Sequence, residues 1–185
     1  MSRRGDLIAL LTAYHPSDTD ERAALFDMLD LAAVAHDPFD RTEYHPGHFT
    51  ASAFAIHRDG RRVLLVHHAR LGIWVQPGGH VDAGDGSPLF AAARELVEET
   101  GLVGSRPVSP GLVDVDVHVF PASGPQPIHR HYDLRFGFVA GDGALAPNAE
   151  VVEAGWFAAA DLGSLGVDVS VRRPVGKLLG ESSDS

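Results

Sequence analysis

The chain has 185 residues, 44% hydrophobic and 22% charged, enough apolar material for one sizeable core with a small appendage. Its formal net charge of −10 argues against a nucleic-acid polymer as partner, because phosphate backbones are bound by basic surface. There is no cysteine, which excludes disulfides and thiolate chemistry.

Taken in chain order, Arg3-Arg4 before Leu7–Leu11 has the outline of a secretory signal, but Asp6 interrupts it, the apolar run is short and no small-residue cleavage site follows. No segment approaches ~18 apolar residues, so no membrane span is expected and the cytoplasm is the expected compartment. Lys177 is the single lysine among many arginines, as in GC-rich bacterial genomes. Helical spacing predicts helices over 5–14 and 18–35, the second opened by Ser17 and Asp18, so residues 1–45 read as an N-terminal helical extension. Its expected job is packing or homodimer formation, with a lid over the site as a further reading. Strand signals follow at Phe49–His57 and Arg62–His68 around the turn Asp59-Gly60, then a glycine-rich turn and a helix over 88–100. Ser87 as N-cap, Pro88 at the first helical position and Gly101 past the end bracket that helix. A strand pair at Leu112–Phe120 and His131–Ala140, a strand at Glu150–Phe157 and a short helical piece at 158–162 complete a domain over 46–165. Residues 166–185 form a C-terminal segment, helical over Val171–Leu179 despite Pro174, with Glu181–Ser185 expected to be a disordered tail.

The chemistry concentrates between Gly78 and Leu102, in GGHVDAGDGSPLFAAARELVEETGL. Glu95, Glu98 and Glu99 stand at i, i+3 and i+4 and share a helix face beside an apolar stripe of Leu89, Ala92, Ala93 and Leu96. Three like charges there repel one another, and a divalent cation would neutralise them. A solvated acidic face is the plain alternative.

This stretch resembles the Nudix box, G-x5-E-x7-R-E-U-x-E-E-x-G-U with U a bulky aliphatic residue. Arg94, Glu95, Leu96, Glu98, Glu99, Gly101 and Leu102 all fall on specified positions. In the first half, counting from Gly79, Asp85 stands where glutamate is expected, and one extra residue separates it from Arg94. Upstream, Trp74-Val75-Gln76-Pro77-Gly78-Gly79 resembles the W-x-L-P-G-G run that leads into the box. The resemblance implies an α/β fold, an α/β/α sandwich around a mixed sheet, and a metal-dependent diphosphohydrolase cleaving a pyrophosphate linkage in a small phosphorylated substrate. It implies Mg²⁺ or Mn²⁺ held by Glu98 and Glu99, with the Gly79 carbonyl as a further ligand; Glu95 either ligates metal or takes the proton of water. Arg94 is expected to orient the glutamates by ion pairing. The rival reading is a non-catalytic Nudix-fold module that senses a nucleotide, against which the intact acidic set argues. The family's isopentenyl diphosphate isomerase uses a cysteine, which this chain lacks. Oxidised nucleoside triphosphates, nucleotide sugars and small non-nucleotide diphosphates all fit as substrates.

Further candidates lie outside the helix. His80, next to Gly79, either contacts phosphate or caps the turn. Glu150, ahead of Trp156-Phe157, could add a carboxylate, and Trp74 is expected to pack on the box helix. In the strand pair, Asp114, Asp116 and His118 alternate with valines, and His129, His131 and Asp133 alternate with apolar residues. Paired as a hairpin, these strands gather histidines and aspartates on one side. His129, His131 and Asp133 are the candidates for a second metal site or a wall that reads substrate, while Asp114, Asp116 and His118 are expected to face water.

Overall fold

Serine and aspartate caps start the first two helices. In the computed structural model, which describes residues 2–122 and 124–180, Ser2 Oγ accepts from Gly5 N at 3.2 Å and opens helix α1 (Arg3–Thr12). Asp18 accepts from Glu21 N at 2.8 Å and opens α2 (Thr19–Val34). The extension is part of the main core: Leu7, Leu11, Met28, Leu31 and Ala32 are buried with Phe49 and Tyr132 of the sheet. Removing that apolar surface from water stabilises the extension against the sheet, about 1.5–3 kcal/mol per large side chain.

Strands β1 (Gly47–Ile56), β2 (Arg62–His68), β3 (Trp74–Val75) and β4 (Gly78–His80) follow, then helix α3 (Pro88–Thr100). Ser87 Oγ accepts from Phe90 N, Pro88 occupies the first turn, and Gly101 takes the left-handed conformation at φ 74°, as the sequence predicts. After β5 (Arg106–Pro107) come β6 (Asp114–Phe120) and β7 (His129–Val139), antiparallel with Asp114 opposite Arg135 and His118 opposite His131. Strand β8 (Val151–Ala158), a single 3-10 turn at Ala159–Asp161 and helix α4 (Val169–Leu179) end the described chain. The predicted tail at 181–185 lies outside the described residues.

All eight strands belong to one mixed sheet. β1 runs through its centre, parallel to β7 along its length and antiparallel to β4 at its start and to β2 at Ile56. Helices α1, α2 and α3 cover one face, where Phe49, Ala51, Ala53 and Ala55 meet Ala91, Ala92 and Leu96. Helix α4 covers the other, where Phe54, Val63 and Leu65 meet Val171 and Val175. The result is the α/β/α sandwich around a mixed sheet that the box implies. Trp74 departs from expectation: it packs on the α4 face against Phe157 at 4.8 Å, because β3 pairs with β2 so that Trp74 stands opposite His67, on the side of Val63 and Leu65.

The α4 face carries a buried ionic network where an exposed face was expected. Asp114 is fully buried, Asp133 is 1% exposed and Arg135 is 1% exposed. Arg135 donates to Asp133 at 2.9 Å, Asp116 at 3.1 Å and Asp114 at 3.2 Å. Arg173 and Lys177 of α4 close on Asp114 at 2.7 and 3.0 Å, and Lys177 also pairs with the buried Glu21 of α2. Burial alone would raise Glu21, but bonds from Lys177, Ser17 and Tyr14 bring it down to about 2. Asp114 and Asp116 are therefore not solvent-facing; α4, distant in sequence, covers them and supplies their counter-charges. His118 keeps more exposure and bonds Asp116 at 3.0 Å. Pro174 sits inside α4 without a backbone N–H for the Ser170 carbonyl one turn earlier, and Arg135 donates to that carbonyl at 2.6 Å. The side chain of β7 thus replaces the bond that proline removes.

Candidate active site

Helix α3 runs along the sheet so that its acidic face meets the glycine turn of β4. Gly79 lies opposite Ala51 of β1, and a Cβ built on it would fall 2.4 Å from Glu95 Oε1. Only glycine leaves that approach open. Arg94 binds the acids together. Its guanidinium donates to Asp85 at 3.0 and 3.1 Å, to Glu95 at 3.0 Å, to Glu98 at 2.9 Å and to the His80 carbonyl at 2.9 Å. Asp85 also accepts from Asp82 N at 2.8 Å. The extra residue is accommodated in the loop before α3, and the shorter aspartate still reaches Arg94.

The three glutamates differ in environment. Glu98 is half exposed, Glu95 is mostly buried and Glu99 is 3% exposed. Burial raises Glu95, and burial with the charges of Glu95, Glu150 and Glu98 pushes Glu99 up to about 8. Glu99 Oε2 is buried and has no hydrogen-bond partner. Glu150 lies close enough to add negative charge against both Glu95 and Glu99. This is an oxygen-donor cluster short of positive charge, the environment that suits a hard divalent cation. Arg94, Glu95, Glu98, Glu99, Gly79 and Glu150 are thus brought together.

The remaining candidates fall elsewhere. The His80 side chain points to the opposite face of the sheet from Glu95, beside His48 at 5.1 Å and His131 at 5.7 Å between ring centroids. His129 and His131 stand there too, their Nε2 atoms 3.0 Å apart. Asp133 does not join them: Arg135, Thr50 and Ser52 occupy its oxygens. His48 was not a candidate from sequence, although His48, Thr50 and Ser52 alternate along β1 as a polar face. Burial lowers His48, takes His80 down to about 4 and, with the neighbouring imidazoles, His131 to about 2. Burial thus favours the uncharged form of all three rings. A groove lined by Arg3, Phe39, Arg41, His80 and Asp82 lies between the N-terminal extension and the box turn. Among the described residues no helix is long and apolar enough to cross a membrane.

The same fold recurs in solved structures. A Nudix-family hydrolase from Clostridium perfringens is 22% identical, with a TM-score of 0.56 over 72% of this chain and 96% of that one. The dihydroneopterin triphosphate pyrophosphohydrolase of E. coli is 17% identical, with a TM-score of 0.53 over 72% and 96%. The NUDIX domain of Shewanella oneidensis NrtR, solved with ADP ribose, is 20% identical, with a TM-score of 0.51 over 70% and 84%. The NUDIX domain profile matches residues 46–179, the stretch that contains the whole sheet, the Arg94-centred acids and helix α4. A match over that much of the chain, on residues that build both the fold and the acidic cluster, places this protein in the Nudix family.

Proposed function

We propose that this chain is a divalent-cation-dependent hydrolase of a pyrophosphate linkage in a small nucleoside diphosphate-linked or related substrate. The observation that carries the reading is the acidic cluster on one face of α3, with Glu95 against Gly79, Arg94 fixing Glu95 and Glu98, and the charges of Glu95 and Glu98 acting on the buried Glu99. Support for the substrate class comes from the pyrophosphohydrolase and the ADP-ribose complex among the structures that share the fold.

The residues present fit Mg²⁺ or Mn²⁺: all donors are oxygens, one of them the unpartnered Glu99 Oε2, and glycine at 79 keeps the approach to Glu95 clear. Glu98, Glu99 and Glu95, with the Gly79 carbonyl, would hold the ion. When bound, it supplies positive charge against the diphosphate and makes water more acidic. The protein's own part is positioning. Arg94 spans Asp85, Glu95 and Glu98, so the carboxylates need little rearrangement on binding. Burial raises the Glu95 carboxyl above its ordinary value, which makes it a better acceptor of a proton from water.

Incubating the protein with a panel of nucleoside diphosphate derivatives and Mg²⁺, followed by phosphate and product analysis, tests the reading. Hydrolysis of at least one member, lost in a chelator and reduced about 10²-fold in Glu98→Gln, is expected. Binding of a nucleotide without turnover would favour a sensor module instead, and equal rates in wild type and Glu98→Gln would discredit the assignment of Glu98 to the metal.

Gly79→Ala separates geometry from stability. The added methyl meets only the flexible end of Glu95, so the melting temperature should change little, within about 1 kcal/mol of stability. The displaced carboxylate should lower kcat on the order of 10²-fold. Unchanged kcat in a folded Gly79→Ala protein would show that Glu95 is not used where it stands.

A further inference from the structure

On the sheet face opposite the box glutamates, five histidines from four strands meet: His48 on β1, His80 on β4, His118 on β6, and His129 and His131 on β7. Nitrogens of His48, His80 and His131 all lie within 4.8 Å of one another. His48 is fully buried, and its Nδ1 lies 3.0 Å from the Glu43 carbonyl. A carbonyl only accepts, so Nδ1 carries the proton and Nε2 is left with its lone pair. That Nε2 is buried and has no hydrogen-bond partner. His129 repeats the arrangement, with Nδ1 donating to the Pro127 carbonyl at 2.8 Å and Nε2 directed at His131.

We propose that His48, His80 and His131 bind a borderline transition-metal cation such as Zn²⁺, with His129 beside them as a fourth nitrogen. An imidazole whose far N–H is held by a backbone carbonyl is oriented as metal-ligating histidines are. An all-nitrogen set selects Zn²⁺, Co²⁺ or Ni²⁺ over Mg²⁺, whereas the box carboxylates favour the hard ion. Three histidines leave a tetrahedral ion one position, which His129 is placed to fill with a small movement. Phe120 stacks on His131 at 4.5 Å and Tyr44 meets the edge of His129 at 5.0 Å, giving the site an apolar rim. The two centres touch through one residue: the His80 carbonyl accepts from Arg94, the clamp of the acidic cluster, so an ion on the His80 ring would also steady the box turn. The proposal does not rest on the hydrolase reading, since donors and ion class both differ.

Equilibrium dialysis of the full chain against Zn²⁺ in excess Mg²⁺, with metal analysis, reads the stoichiometry. X-ray absorption at the zinc edge reads the ligands in wild type without any substitution. One zinc per chain with an imidazole shell is expected, weakened at least about 100-fold in His48→Gln and His131→Gln and retained in Glu99→Gln. Absence of bound zinc, an oxygen-only shell, or loss of zinc in Glu99→Gln with retention in His48→Gln would overturn the proposal. If a histidine variant fails to fold by circular dichroism, the wild-type absorption spectrum decides the matter alone.

Discussion

Replacing Glu99 by Gln is expected to eliminate hydrolysis, on the order of 10³-fold, and at the same time to make the metal-free protein more stable. The activity loss follows from removing a buried carboxylate whose free oxygen faces the cluster. The gain in stability follows from linkage. Burial and neighbouring acids raise Glu99 in the folded protein to about 8 from an ordinary value of 4.5. A carboxyl raised on folding carries no penalty below its unfolded value; the penalty grows as pH rises through the window from 4.5 to about 8 and is constant above it. Glutamine matches the shape and cannot ionise. In a chelator, Glu99→Gln should therefore melt with wild type at pH 4 and above it at pH 8, by about 2–4 kcal/mol of stability. Added Mg²⁺ should raise the wild-type melting temperature at pH 8 and leave that of the variant nearly unchanged. If the variant is less stable than wild type at pH 8 without metal, the ionised Glu99 carboxylate is not destabilising in the folded protein.

The second large effect is on the opposite face. Arg135→Met should cost about 3–5 kcal/mol, the usual result of leaving buried charges without their partner. Three aspartates, Asp133, Asp116 and Asp114, lose a donor at 2.9–3.2 Å, and the Ser170 carbonyl loses the bond that stands in for the missing N–H of Pro174. Methionine fills much of the volume, so the loss is electrostatic more than a cavity effect. Urea unfolding should show a lower midpoint with an unchanged slope. A second substitution, Pro174→Ala, should return part of the loss by restoring the helix bond to Ser170. A shift below about 1 kcal/mol for Arg135→Met would mean that the aspartates find other partners.

Local signals carried the box helix, the acids and the β6–β7 hairpin, because each depends on residues close in sequence. Ser87, Pro88 and Gly101 bracket α3, and i, i+3, i+4 spacing puts the glutamates on one face. The alternation of valine with aspartate and histidine gave the correct pairing of β6 with β7, but not what covers the polar side. That depends on α4, whose Arg173 and Lys177 meet Asp114 from about sixty positions away in the chain. His48 was hidden for a similar reason. It joins His131 only through the parallel pairing of β1 with β7, which no turn between adjacent strands announces. The same pairing puts Thr50 and Ser52 on Asp133, drawing it away from the histidines with which it alternates. Asp85 shows the reverse case. An inserted residue breaks the sequence pattern, yet the loop adjusts and the carboxylate meets Arg94.

If the acidic cluster on α3 holds a divalent ion, calorimetric titration of Mn²⁺ into the metal-free protein at pH 7, repeated in buffers of different ionisation enthalpy, should register it. One ion should bind with release of close to one proton, because Glu99, raised to about 8, is largely protonated beforehand. No binding heat in a folded sample, or binding with no proton released, would contradict the assignment.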